Sequence, residues 1–115
     1  MIKKVESFSP EYRENMRGGD GTVTVCNFVT AEELNNKGRL FGKIVLKPGC
    51  GIGYHVHEKD SELFYIMKGT AVYDDNGTKV TVSQGDVTLT PAGTGHSIKN
   101  ESSEDVELVA LIVYA

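Results

Sequence analysis

Residues 49–69 read GCGIGYHVHEKDSELFYIMKG, and the pair His55 and His57, with Glu62 five residues further on, decides how the rest of the chain is read. In an extended chain alternate side chains share a face, so His55 and His57 point one way and Val56 the other. A carboxylate arriving on the next strand, across the charged turn Glu58 to Ser61, adds a third donor to the two imidazoles. Nitrogen and oxygen donors of this kind suit a first-row divalent ion. On the parity set by Glu62, Phe64 and Ile66 should face the interior and Tyr65 and Met67 the outside.

Outward from this stretch the pattern is that of short strands. Thr22 to Phe28 alternates β-branched residues and reads as a strand. Arg39 to Lys47 is mostly apolar on both faces, as in a strand covered on both sides, and Pro48-Gly49 turns it. Ile52 to His57 pairs with Glu62 to Lys68. Thr70 to Asp74 and Thr78 to Ser83 flank Asn76-Gly77, the dipeptide of a tight type I′ hairpin. Asp86 to Thr90 and His96 to Lys99 surround the turn from Pro91 to Gly95, where Pro91 fixes φ ahead of the bend that aims His96 inward. Val106 to Tyr114 is a long apolar final strand. Thr30 with Glu33 fits a capping box, but Asn35, Asn36 and Gly38 stop any helix at once. Residues 1–21 form a polar N-terminal arm ending in the glycine-rich stretch Gly18 to Gly21, the one segment placed to cover a barrel mouth. About nine strands with turn signals every eight to twelve residues predict an all-β chain, an antiparallel, jelly-roll-like β-barrel of two sheets.

A chain of 115 residues is read as a single domain. Its 12 basic and 16 acidic residues are scattered, which argues against nucleic acid as a partner. No apolar run approaches a membrane span and Met1 to Glu6 lacks a signal core, so the expected location is cytoplasmic. Cys26 and Cys50 share no C-x-x-C spacing and are expected as free thiols.

The chain's three histidines are His55, His57 and His96. At this point the sequence resembles the cupins. Gly49, His55, His57, Glu62 and Gly69 meet every position of the family's first motif (residues 49–69). Gly85, Pro91, Gly93, His96 and Asn100 meet the second (residues 85–100). Ten specified residues, each at a background usage of about 5%, make coincidence negligible. The resemblance implies one cupin domain over residues 1–115, with His55, His57, Glu62 and His96 as ligands of a divalent transition metal such as manganese, iron, nickel or zinc. Two open octahedral positions would remain for water or substrate.

Taken alone, a buried histidine is more often a hydrogen-bonded core residue than a ligand; it is the joint pattern that argues for metal. Tyr54, Tyr65, Tyr73 and Phe64 are candidate pocket residues, though strand aromatics usually serve packing. Cys50 reads as an inert thiol, and Glu58-Lys59-Asp60 and Glu101 to Asp105 as solvated loops. The resemblance implies a metal-dependent enzyme of oxidoreductase (dioxygenase), decarboxylase or isomerase type acting on a small oxygenated compound; the alternative is a binding or sensing module without turnover. Oxalate decarboxylases of the family carry an arginine three residues before the first ligand histidine. Here that place is Ile52, which argues against oxalate because an apolar side chain cannot polarise a dicarboxylate. The long apolar end strand, Leu108 to Tyr114, leads us to expect a homodimer.

Overall fold

The computed structural model describes residues 1–115. Ten strands follow in order: β1 (Glu11–Glu14), β2 (Thr22–Asn27), β3 (Gly38–Leu46), β4 (Gly51–His57), β5 (Asp60–Lys68), β6 (Thr70–Asp75), β7 (Thr78–Ser83), β8 (Val87–Thr90), β9 (Thr94–Lys99) and β10 (Val106–Tyr114). They form two antiparallel sheets, one ordered β1-β2-β3-β10-β5-β8 and the other β4-β9-β6-β7. The all-β, two-sheet architecture is the one expected from the strand and turn pattern.

The core lies between the sheets and is built by period-two alternation. Val23 and Val25 of β2, Ile44 and Leu46 of β3, Phe64 and Ile66 of β5 and Leu108 of β10 are all buried to within 1%. Each such side chain contributes about 1.5–3 kcal/mol on leaving water. Phe64 and Ile66 point inward, and Tyr65 and Met67 outward, as the parity of Glu62 requires. Asn76 and Gly77 both have positive φ (48° and 103°), the type I′ geometry expected between β6 and β7. At the end of the second motif Asn100 is fully buried. Its amide nitrogen donates to the carbonyls of Leu46 (2.8 Å) and Glu104 (2.6 Å), pinning the approach to β10.

Four local expectations change. The N-terminal arm contains a strand: β1 pairs with β2, and Asn15 N donates to Gly21 O (2.8 Å) to close the loop between them. Strand β3 is covered on one face only, with Arg39 and Phe41 exposed on the other. The capping box forms, with Glu33 N on Thr30 Oγ1 (3.1 Å) and Thr30 N on Glu33 Oε1 (2.9 Å), yet only turns follow because Asn35 and Asn36 take left-handed φ. Finally, β5 begins at Asp60, so the turn after β4 is shorter than the charge pattern suggests.

Candidate metal centre

Strand β4 does not run in one register. Its pairing with β9 matches Ile52 to Ile98 and then His55 to His96, so one extra residue is accommodated between them. Ile52 and His55 are three apart and would face opposite ways on a regular strand; a bulge around Gly53 and Tyr54 turns both toward the interior. His55 and His96 are thereby direct cross-strand partners, and His57 and Glu62 come in from the two ends of the β4–β5 turn.

The four side chains expected as ligands converge. One donor atom from each of His55, His57, Glu62 and His96 can be chosen so that all lie within 4.8 Å of one another. His57 Nε2 is 3.1 Å from Glu62 Oε1 and 3.2 Å from His96 Nε2, and His96 Nε2 is 3.3 Å from His55 Nε2. His57, Glu62 and His96 are buried, and His55 is partly open.

What directs the three Nε2 atoms at one point is a set of partners on the opposite ring nitrogens. Gly53 O faces His55 Nδ1 at 2.8 Å and Asp60 Oδ1 faces His57 Nδ1 at 2.6 Å. A carbonyl and a carboxylate only accept, so both Nδ1 atoms carry a proton, and in the neutral imidazole each Nε2 is left with the lone pair. His96 Nδ1 lies 2.8 Å from the Tyr73 hydroxyl and 2.9 Å from Thr90 Oγ1, two groups able to accept in the same way. Phe64 stacks on the His96 ring, with centroids 5.1 Å apart, and fixes its plane. Neutral rings would turn their Nε2 lone pairs toward the Glu62 carboxylate, an arrangement that needs positive charge between them, from a metal ion or, without one, from protons on the rings. The donor set therefore fits a divalent ion.

Protonation of the ion-free cluster follows the same contacts. The hydrogen bond to Glu62 raises His57 above the usual imidazole range against the effect of burial, and Asp60 raises it further. Burial pushes His55 down, and the charges of His96, His57 and Arg17 add to that. Burial alone would raise Glu62, but hydrogen bonds from His57 and His96 outweigh it and hold the carboxyl low. Asp60 is likewise held low, its burial outweighed by Arg39 and His57.

Asp60 and Tyr73 are the parts that sequence reasoning missed. Asp60 belongs to a turn read as solvated, yet it is 7% exposed and bridges His57 to Arg39, whose Nε donates to Oδ2 at 2.8 Å. A carboxylate three residues after a candidate ligand histidine was the available signal. Tyr73, by sequence a packing or pocket-lining candidate, is buried and its hydroxyl serves His96. Tyr54 and Tyr65 are about half exposed and do not line the cavity at the cluster. Cys26 and Cys50 are free thiols, as expected.

Beside the cluster lies a cavity of about 70 Å³ lined by Arg13, Arg17 and Arg39 as well as His55, His57 and Glu62, with Met16, Leu40, Ile44, Ile52 and Ile112 as apolar wall. Larger hollows exist elsewhere, of about 200 Å³ beside Tyr73 and Thr88 and about 300 Å³ under Phe8 and Phe28, but neither touches the histidine cluster. Ile52 therefore bears out only half of what its place in the motif implies. Ile52 does line the cavity and is apolar, but three arginines line it as well, Arg13 from β1, Arg17 from the loop after it and Arg39 from β3.

The family model for the cupin domain matches residues 42–114. The chain belongs to the cupin family. This cupin is 40% identical over 113 residues to a Thermotoga maritima protein named oxalate-binding protein, covering 98% of this chain and 93% of that one. It superposes with a TM-score of 0.96 and 39% identity, over the full length of both chains, on the crystal structure of a Thermotoga maritima protein described as a predicted oxalate decarboxylase. A Thermus thermophilus structure shares the fold alone, with a TM-score of 0.75, 20% identity and coverage of 98% of this chain and 96% of that one. Arg13, Arg17 and Arg39 all precede the residues matched by the family model.

Proposed function

We propose that this cupin holds a divalent transition ion on His55, His57, Glu62 and His96 and uses it to bind a small carboxylate of the size of oxalate. The observation that carries the reading is the juxtaposition of the donor cluster with an arginine-bearing cavity of about 70 Å³. Guanidinium groups match carboxylate geometry and charge, and so small a space accepts only a few heavy atoms. The oxalate-binding name of the 40% identical relative supports the same class. An ion at this site would supply Lewis acidity toward a carboxylate oxygen. The chain's own part is to orient three imidazoles through Gly53, Asp60, Tyr73 and Thr90, to line the space with Ile52, Leu40 and Ile112, and to present positive charge at its mouth.

Binding without turnover is the better supported form of this reading. A general acid or base must stand within hydrogen-bond reach of the reacting group. The only carboxylate lining the cavity is Glu62, engaged with two histidines, while arginine stays protonated and cannot exchange a proton at neutral pH. Calorimetric titration of oxalate into the manganese-loaded protein tests the proposal, with oxygen uptake and carbon dioxide release followed alongside. Manganese-dependent heat with neither gas exchange is the expected result; no retained manganese, or no heat, would refute it.

A second copy of the chain is the proposed macromolecular partner, on the outer face of the six-stranded sheet. Register places Phe41, Leu111, Leu63 and Leu89 in one row across β3, β10, β5 and β8, with Val109, Tyr65 and Val87 in the row beside it. Phe41, Tyr65, Val87 and Leu89 are 36–63% exposed. Two adjacent apolar rows, one four strands wide and the other three, with Lys43 at its β3 end, are more than scattered surface residues, and two-fold pairing would cover the patch with itself.

A further inference from the structure

Three arginines reach the cavity, and they are not equivalent. Arg13 donates through Nε (3.2 Å) and Nη2 (2.8 Å) to Glu11 Oε2. Arg39 donates to Asp60, which is itself bound to His57. Arg17 is an exposed residue that lines the cavity and makes no ion pair within the chain.

The backbone that delivers Arg17 is unusual. Arg17 sits in the left-handed region (φ 53°, ψ 31°), as does Asn15 two residues earlier (φ 49°, ψ 47°). Non-glycine residues are held there only when their surroundings over-determine it, and such residues concentrate at ligand sites. The surroundings do so here. Asn15 Nδ2 donates to Gly19 O (3.0 Å), Gly51 N donates to Asp20 O (2.9 Å), and Lys99 Nζ reaches Asp20 Oδ2 at 2.9 Å. A Cβ on Gly53 would overlap the Arg17 carbonyl oxygen, and one on Gly19 would overlap the carbonyl oxygen of Gly51. The loop is therefore seated through Gly19 on Gly51 and Gly53 of β4, and that seat includes the bulge through which Gly53 O holds His55. The seat that positions a metal-cluster histidine also positions Arg17.

The charges around the cavity narrow the ligand. Glu11 offsets Arg13 and Asp60 offsets Arg39. A divalent ion less the charge of Glu62 leaves one positive charge, and Arg17 adds a second. With neutral imidazoles the cavity carries two uncompensated positive charges, the complement of a dianion and not of a monocarboxylate. We infer that Arg17, carried on the loop between β1 and β2, is the ligand-binding residue that makes the site selective for a small dicarboxylate dianion. This rests on the metal-and-carboxylate reading above and adds to it the residue and the charge that set specificity. The guanidinium comes from an element different from the strand position occupied by Ile52.

The test compares oxalate with glycolate, a monoanion of similar size, by titration into manganese-loaded protein freed of excess metal, with manganese content measured for every variant. Arg17→Gly is the informative substitution, because glycine accepts the left-handed backbone without strain and the loop keeps its seat. It should retain manganese as the wild type does and lose about tenfold or more in oxalate affinity, with glycolate affinity changed less than about threefold; Arg17→Lys should restore part of the loss. If Arg17→Gly leaves the oxalate-to-glycolate ratio of the wild type unchanged, the inference is wrong and the metal-and-carboxylate reading stands. A manganese-loaded wild type that binds no oxalate overturns that reading and the inference with it.

Discussion

Asp60 Oδ1 lies 2.6 Å from His57 Nδ1, and the other oxygen of the same carboxylate accepts from Arg39 Nε at 2.8 Å. One buried acid thus fixes the tautomer of a histidine of the cluster and is itself fixed by a cavity arginine. Removing such a partner costs about 10–100-fold in metal affinity. Asp60→Ala should fall in that range in a chelator-competition titration. Asp60→Asn, which keeps an acceptor oxygen but loses the charge, should lie between it and the wild type. Equal affinities for all three proteins would show that Asp60 does not orient His57.

On the opposite side of the cluster, His96 Nδ1 has two acceptors, Tyr73 and Thr90. Because one remains when the other is removed, Tyr73→Phe should weaken manganese by about threefold to tenfold, less than Asp60→Ala. The double variant with Thr90→Val should lose more than the sum of the two singles in free energy, since only then is the ring nitrogen left unpaired in the interior. Simple additivity would indicate that Phe64 stacking alone holds the ring.

The protonation shifts predict opposite pH trends with and without metal. In the metal-free protein His57 has a raised folded pKa, so its interactions with Glu62 and Asp60 stabilise fully below its unfolded value of 6.5 and are lost as pH rises through the folded value. Asp60 and Glu62 have depressed folded values, so their contribution is present above 3.8 and 4.5 respectively and lost as pH falls through the folded values. Burial of His55 works against His57, its share being lost as pH falls below 6.5. The comparison that isolates His57 is wild type against His57→Gln without metal. The gap in melting temperature should be larger near about pH 6 than near about pH 9. Manganese stabilisation of the wild type should move the other way and grow with pH, because binding must displace the His57 proton. A metal-free gap that widens with pH would contradict the assigned direction.

How much of this could be read from the chain follows from which contacts are local. His55, His57 and Glu62 declare themselves through period-two spacing and a short turn, and His96 through the proline and glycine that bend the chain before it. Strand parity likewise places Phe64 and Tyr65 on opposite faces. Asp60 escapes because a buried acid in a turn and a solvated one have the same local sequence; only Arg39, 21 residues away, distinguishes them. Ile52 faces the cavity because of a bulge that alternation does not register. Arg17 depends on the β1–β2 pairing, a left-handed bend and the glycine seat on β4, none of which precedes folding of the barrel.

The apolar rows on the outer sheet face give a prediction independent of the metal. Leu89→Lys together with Tyr65→Glu places charge in both rows and touches neither the core nor the cluster, since both side chains are about half exposed. In analytical ultracentrifugation at micromolar concentration the wild type should sediment as a dimer and the double variant as a monomer, with manganese content unchanged. A monomeric wild type removes the self-association proposal and leaves the metal site untouched.

The glycine seat is tested by separating the two ways in which a glycine can matter. Gly18 has φ +78° and no neighbour within 4 Å of where a Cβ would sit, so Gly18→Ala introduces only backbone strain, about 1 kcal/mol. Gly19 has φ −75°, which alanine adopts freely, but its Cβ would meet the backbone of Gly51 and Gly53. Backbone cannot swing aside as a side chain can, so Gly19→Ala must lift the loop from β4 or distort the bulge beneath it, at a cost of about 1–3 kcal/mol. If Arg17 is held at the cavity by this seat, Gly19→Ala should lose the preference for oxalate over glycolate, and Gly18→Ala should keep it despite a lowered melting temperature. Retention of the preference by both variants would mean that the seat does not govern where the guanidinium points.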